Sequence, residues 1–181
     1  MIATIARRIV DKVAMRGAFL AIGVGADVSP FVDLRGQLPV DGQYPLRNME
    51  RVDTQIIHHS ATTGSSIHSI AQFHIEARGW PAIAYHFAIG WDGKCYQLND
   101  VDRRTNHAAG WNSRSIGVVL IGNYQERPVP AEVVKACERL TAYIAETYGA
   151  HTILFHRDTK ITVCPGKFAT EALQGLKQVD V

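Results

Sequence analysis

A chain of 181 residues with a formal charge of +2 has room for one domain and an extension, and is too weakly basic to argue for nucleic acid. Hydrophobic residues make up 46% and charged residues 20%, the balance of a globular protein that buries a core, and no apolar run is long enough to span a membrane. The cysteines Cys95, Cys137 and Cys164 are odd in number and widely spaced with no CxxC, which argues against a disulfide framework and leaves at least one thiol free or metal-bound.

Ile2, Ile5, Ile9, Val10 and Val13 recur at helical spacing among Arg7, Arg8, Asp11 and Lys12, predicting an amphipathic helix. Residues 18–26 are apolar and end in small residues. With the basic residues before them they loosely resemble a secretion signal, against which Asp11 and the two-part pattern argue. Residues 1–30 therefore read as an N-terminal extension. Residues 27–50 are rich in Pro, Gly, Asp and Arg and read as an arm of turns. The apolar centre of residues 53–62 predicts a buried strand ending in His58 and His59. Successive strand side chains point to opposite faces, so these two cannot share a site, and one of them is structural.

Residues 62–66 supply a loop and a helix N-cap, and Ile67, Ile70, Ala71, His74 and Ile75 form a helical stripe up to Gly79. Residues 83–90 read as an aromatic, apolar strand, and the Asp92-Gly93 turn with residues 94–98 completes a hairpin. A polar loop over 106–113 precedes a buried strand over 115–122. Pro130 opens a long helix with Val133, Cys137, Leu140 and Ile144 on one face, and Gly149 ends it. A short strand over 152–155 and a closing helix over 168–177 follow. This order predicts a single α/β domain over residues 31–181, a mixed central β-sheet with helices on both faces.

His156 stands where the last strand ends, eight positions before Cys164, which Pro165 and Gly166 follow. On one straight helix that spacing would hold the two side chains about 12 Å apart. In a loop that folds back they can share a metal, and imidazole and thiolate are both good zinc ligands. From this stretch alone, a capping histidine and a buried thiol explain the residues as well. Functional side chains gather in loops at strand ends. His58, His156 and Cys164 meet that description. Three protein ligands with an open position is the catalytic form of zinc, whereas a structural site takes four. Tyr85, at the start of an aromatic strand, is a further group able to face the same cleft.

Four blocks occur in order: Ile56-Ile57-His58-His59-Ser60-Ala61-Thr62; Ala84-Tyr85-His86-Phe87 with Asp92-Gly93 after it; Asn112-Ser113-Arg114-Ser115-Ile116-Gly117-Val118; and His156-Arg157-Asp158 with Cys164-Pro165-Gly166. Together they resemble the zinc-dependent N-acetylmuramoyl-L-alanine amidases, which include small phage lysozyme-amidases and the peptidoglycan recognition proteins. The resemblance covers roughly residues 31–170. It implies one zinc ion per chain on His58, His156 and Cys164. It also implies an active-site tyrosine at Tyr85, acting to orient water, to accept its proton or to stabilise the intermediate. Thr162 stands where some phage members carry lysine and catalytic recognition proteins carry threonine, and is assigned to help hold the oxyanion. His107, with Asn106, Trp111 and Asn112, is placed along the substrate groove.

The implied reaction is hydrolysis of the amide between N-acetylmuramic acid and L-alanine in peptidoglycan. The implied protein is a monomeric, endolysin-type lytic enzyme, made in the cytoplasm of a bacterial or phage-infected cell and acting at the wall. Its partner class is muropeptide, with no nucleic acid and no membrane insertion. The third ligand is Cys rather than the Asp of cytosolic amidases that recycle anhydro-muropeptides. Two other readings stay open. One is a non-catalytic peptidoglycan-binding module, whose members commonly lack the cysteine. The other is a cysteine hydrolase on Cys164 and His156, for which Pro165-Gly166 offers no helix N-terminus directly behind the sulfur. His59 and His86 are read as structural, His74 as a helix-face residue, Cys95 as strand packing and Cys137 as core.

Overall fold

Six strands form one mixed sheet in the computed structural model, which describes residues 31–178. The helix and the signal-like stretch expected before residue 31 lie outside the described residues. In chain order the strands are β1 (Val32–Asp33), β2 (Thr54–His59), β3 (Phe87–Ile89), β4 (Cys95–Gln97), β5 (Ser115–Leu120) and β6 (Thr152–Phe155). They lie side by side as β1-β4-β3-β5-β2-β6. The β3–β4 hairpin is antiparallel, and the other neighbours are parallel. Every residue of β2 and β5 is buried. Both faces of a parallel sheet must be covered, so its inner strands carry near-continuous apolar runs.

The covers are α1 (Ile67–Glu76) on one face and α2 (Ala131–Tyr148) on the other, followed by α3 (His156–Thr159) and α4 (Lys167–Ala172). Helix α1 begins where the Ser66 side chain accepts from the Ser69 amide at 3.0 Å. It buries Ile70 and Ala71 with Ala88 and Val119 of the sheet. Helix α2 follows Pro130 and ends at Gly149, whose φ of 74° suits a residue without a Cβ. Its Val133, Cys137, Leu140 and Ile144 pack with Ile57, Ile116, Val118 and Leu120. Val119 belongs to the α1 cluster and Ile57 to the α2 cluster. His58, register partner of Val119, thus faces the α1 side.

Three elements differ from the sequence expectation. The strand expected over 83–90 contracts to Phe87–Ile89, because the Asn99 amide takes the Ile83 and Tyr85 carbonyls at 2.9 and 2.7 Å. Those acceptors are then lost to a ladder. The closing helix divides into α4 and a 3-10 segment over Gln174–Gln178, with Gly175, a weak helix former, in the second part. The arm of turns contributes an edge strand, Val32 and Asp33 pairing with Tyr96 and Gln97.

The arm also delivers Arg47, half-buried, whose guanidinium meets backbone oxygens. It donates to the Val101 carbonyl through Nε at 2.9 Å and Nη2 at 2.6 Å, and to the Asn112 carbonyl at 2.9 Å. It donates to the Ser115 carbonyl as well. Burial pushes its pKa down to about 10, which still leaves it charged at neutral pH. One side chain thus ties together both ends of the segment that leads into β5.

Candidate metal centre

Strands β2 and β6 are parallel neighbours, so their C-terminal ends open on one edge of the sheet. Ile57 pairs with Phe155, which sets His58 and His156 side by side one residue further on. Their ring centroids are 4.4 Å apart. The third group arrives by chain reversal. After the single turn of α3 the chain doubles back, and the Arg157 amide donates to the Cys164 carbonyl at 2.9 Å. This contact closes the separation that eight positions along one helix would keep open. The Asp158 carboxylate anchors the turn, accepting from the Phe155 amide at 2.7 Å and from Lys177 Nζ at 2.9 Å. One donor atom each from His58, His156 and Cys164 then lies within 4.8 Å of the others.

His58 Nδ1 is 3.8 Å from Cys164 Sγ, and His156 Nε2 is buried with no hydrogen-bond partner. Two imidazoles and a thiol, with an orphaned buried nitrogen among them, fit a zinc ion that keeps one position open. Burial drives each group toward its neutral form. It lowers His58 well below the ordinary histidine value, lowers His156 to about 4 and raises the Cys164 thiol to about 11. The His59 amide and the Lys160 charge pull the thiol the other way without prevailing. A neutral thiol beside neutral imidazoles is not the thiolate–imidazolium pair of a cysteine hydrolase. A bound cation would reverse that balance and favour the thiolate.

The His58 and His59 alternation places the two rings on opposite faces. His59 Nδ1 accepts from the Tyr124 amide at 3.1 Å, while the His59 amide donates to Cys164 Sγ at 3.5 Å. His86 is structural: Nδ1 accepts from the Gly117 amide at 2.9 Å, and Nε2 lies 2.8 Å from the Arg103 carbonyl. His74 lies on the buried face of α1 with Ile70 and Ala71. Its Nδ1 accepts from the Ala84 amide at 3.1 Å, and its ring centroid is 5.7 Å from that of Tyr85. Tyr85 in turn stands 5.3 Å from the His58 ring, and burial raises its pKa. Thr162 Oγ1 accepts from the Cys164 amide at 3.3 Å, half-buried between the exposed Ile161 and Val163.

The residues expected along a groove over 106–113 fall in two places. His107 is 6% exposed and lies beneath His58, with Nδ1 3.1 Å from His58 Nε2. Its ring fits against the sheet at Gly117, where a Cβ would come within 2.7 Å of it. Trp111 and Asn112 lead into Ser115, which pairs with Thr54 at the far end of β2 from His58. Four residues of strand amount to about 13 Å. There Asn112 braces its own loop, Oδ1 accepting from the Ala108 amide at 2.7 Å, and Trp111 carries the Arg114 guanidinium at 5.1 Å. Asn106 is half-buried beside His107. The contribution of the His59 amide and the place of His107 carry no spacing signal in the sequence.

The fold and the donor set define an α/β domain in which three groups able to hold a metal gather beside the C-terminal ends of two parallel strands. Residues 48–167 match the family described as N-acetylmuramoyl-L-alanine amidase, and the chain belongs to that family. It is 29% identical over 131 residues to peptidoglycan-recognition protein SC1a of Drosophila melanogaster, spanning 66% of this chain and 71% of that one. It is 33% identical over 123 residues to peptidoglycan-recognition protein LB of the same organism, spanning 61% and 53%. Among solved structures, N-acetylmuramoyl-L-alanine amidase LysC from Clostridium intestinale is similar with a TM-score of 0.72 at 26% identity, covering 84% of this chain and 100% of that one. Peptidoglycan recognition protein LE, solved in complex with tracheal cytotoxin, gives 0.70 at 25%, covering 82% and 94%.

The buried histidines set an acid limit on stability. His59, His74 and His156 are lowered to about 4 and His107 to about 3, chiefly by burial. The unfolded chain titrates near ~6.5 and so takes up protons first. Folding stability is then complete above about pH 6.5 and is lost as pH falls through about 4. The melting temperature of metal-free protein is expected to drop steadily over that window. A flat profile between these limits contradicts burial of the neutral rings.

Proposed function

We propose that this chain hydrolyses the amide between N-acetylmuramic acid and L-alanine of peptidoglycan, with one zinc ion on His58, His156 and Cys164. The observation that carries the reading is the convergence of these donors within 4.8 Å in a chain of the amidase family. When bound, zinc supplies Lewis acidity, lowering the pKa of water and polarising the scissile carbonyl. The oxygen of water joins the lactyl carbonyl carbon, the C–N bond breaks, and the products are a lactyl carboxylate and a free alanine amine. A muropeptide as the ligand class is supported by the structure of recognition protein LE, solved with tracheal cytotoxin, a monomeric diaminopimelic acid-type peptidoglycan. We assign the activity to a monomeric domain over residues 31–181, acting at the cell wall as an endolysin-type lytic enzyme. The presence of both histidines with the cysteine favours hydrolysis over recognition alone.

Two side chains of the site support the reacting amide. Burial keeps Tyr85 protonated, so its hydroxyl donates to the negative charge that develops on the amide oxygen. Thr162 Oγ1 already accepts from the Cys164 amide, which leaves its own proton for the same oxygen. Tyr85→Phe should keep zinc and lose about 10²-fold in kcat. A Phe variant within twofold of wild type would leave the hydroxyl without a chemical role. Thr162→Val should cost roughly tenfold, below the ~10²–10³ of a sole oxyanion donor, because the load is shared. Wild-type turnover by the Val variant would reduce residue 162 to loop packing.

The proposal is tested by metal analysis with a turbidity assay on purified peptidoglycan. About one zinc per chain, clearing of the suspension, loss with chelator and recovery with added zinc are expected. A zinc-loaded protein that binds the polymer without clearing it would overturn hydrolysis in favour of recognition.

A further inference from the structure

His58 Nε2 and His107 Nδ1 are 3.1 Å apart, so one of these nitrogens carries the proton between them. The far side of His107 decides which. Its Nε2 lies 3.3 Å from the Ser115 carbonyl oxygen and 3.2 Å from the Ser115 hydroxyl oxygen. A carbonyl only accepts, and the hydroxyl donates its proton to the Trp111 carbonyl at 2.8 Å. Both contacts therefore call for an N–H on His107 Nε2. A neutral imidazole has one N–H, so His107 Nδ1 is an acceptor and the shared proton sits on His58 Nε2. His58 Nδ1 keeps its lone pair, and it is this nitrogen that stands 3.8 Å from Cys164 Sγ.

We propose that His107 is a positioning residue that fixes His58 in the Nε2–H tautomer and aims its Nδ1 lone pair into the donor cluster. The rings meet edge-on, with an interplanar angle of 85°. The seat for His107 is built into β5. A Cβ at Gly117 would approach His107 Cγ at 2.7 Å and Nδ1 at 2.9 Å, so a glycine is what lets the ring lie against the strand. The Ser115 carbonyl that fixes His107 also accepts from Arg47. The relay thus runs from the backbone of β5 through one histidine to the next. Metal-ligating histidines commonly donate their second N–H to a fixed acceptor, and loss of that acceptor costs about 10–100-fold in metal affinity. The part of the inference that concerns affinity rests on the zinc reading above.

Long-range proton–nitrogen NMR of metal-free protein reads each tautomer directly. Wild type is expected to show Nε2–H at both His58 and His107. In His107→Leu, His58 should become a mixture of tautomers, and zinc affinity should fall about 10–100-fold. His107→Gln can accept from His58 and donate to Ser115, and should restore both readouts. Nδ1–H on His58 in wild type overturns the proposal, as does wild-type zinc affinity in His107→Leu. If the Leu variant does not fold, the wild-type spectrum and the Gln variant decide: an Nε2–H His58 in both supports the proposal, and any other result overturns it. The tautomer is read without metal. A wild-type protein with the expected tautomer and no zinc affinity would therefore overturn the zinc reading while upholding the tautomer assignment.

Discussion

Cys164→Ser is expected to leave the protein without zinc and to lower peptidoglycan hydrolysis by about 10³-fold or more, the scale of several kcal/mol of Lewis-acid stabilisation. The substitution isolates the sulfur. Backbone contacts hold residue 164 in place whatever its side chain: its amide donates to Thr162 Oγ1 at 3.3 Å, and its carbonyl accepts from the Arg157 amide at 2.9 Å. The loop should therefore keep its path, and the melting temperature of the metal-free variant should match that of metal-free wild type. What is lost is the soft donor. A serine hydroxyl is a far poorer ligand than a thiolate for a borderline-soft ion. A Ser variant with full zinc and full activity would show that Cys164 is not a ligand.

Arg47→Met is expected to cost about 3 kcal/mol of stability, and roughly 6–12 °C in Tm for a domain of this size. The guanidinium satisfies the carbonyls of Val101, Asn112 and Ser115, and methionine offers no donor to any of them. The bonds from Arg47 are only part-buried, so each carbonyl that loses one costs toward the lower end of ~1–3 kcal/mol. Arg47→Lys should rescue little, because one ammonium cannot reproduce the planar fork. The loss should also weaken zinc binding, since the Ser115 carbonyl fixes His107 as well. Chemical denaturation and a zinc competition titration measure the two effects. A Tm change under about 2 °C would show that water replaces the guanidinium at no cost.

Much of this arrangement is legible in the sequence, for physical reasons. The period of two along a strand separates His58 from His59, and the rings do lie on opposite faces. Strand-end positions bring His58 and His156 to one edge once β2 and β6 are parallel neighbours. The folded-back loop that a shared site for His156 and Cys164 requires is present, closed by a backbone contact that no side-chain pattern announces. Other parts are not legible because side chains from distant segments decide them. Nothing in residues 83–86 reveals that the Asn99 amide will take their carbonyls. A polar loop over 106–113 reads as open surface, yet His107 is buried because Gly117 leaves space for a ring. Arg47, in an arm of turns, looks like a solvated charge until the carbonyls around it are known.

The central claim is that the bond cleaved is the lactyl amide, and mass spectrometry of digested peptidoglycan tests it most directly. Fragments should carry a free lactyl carboxylate on N-acetylmuramic acid and a free amine on L-alanine, formed by zinc-loaded protein and not by chelator-treated protein. Cleavage within the glycan or between amino acids of the stem, or the same fragments from fully metal-free protein, would contradict the account.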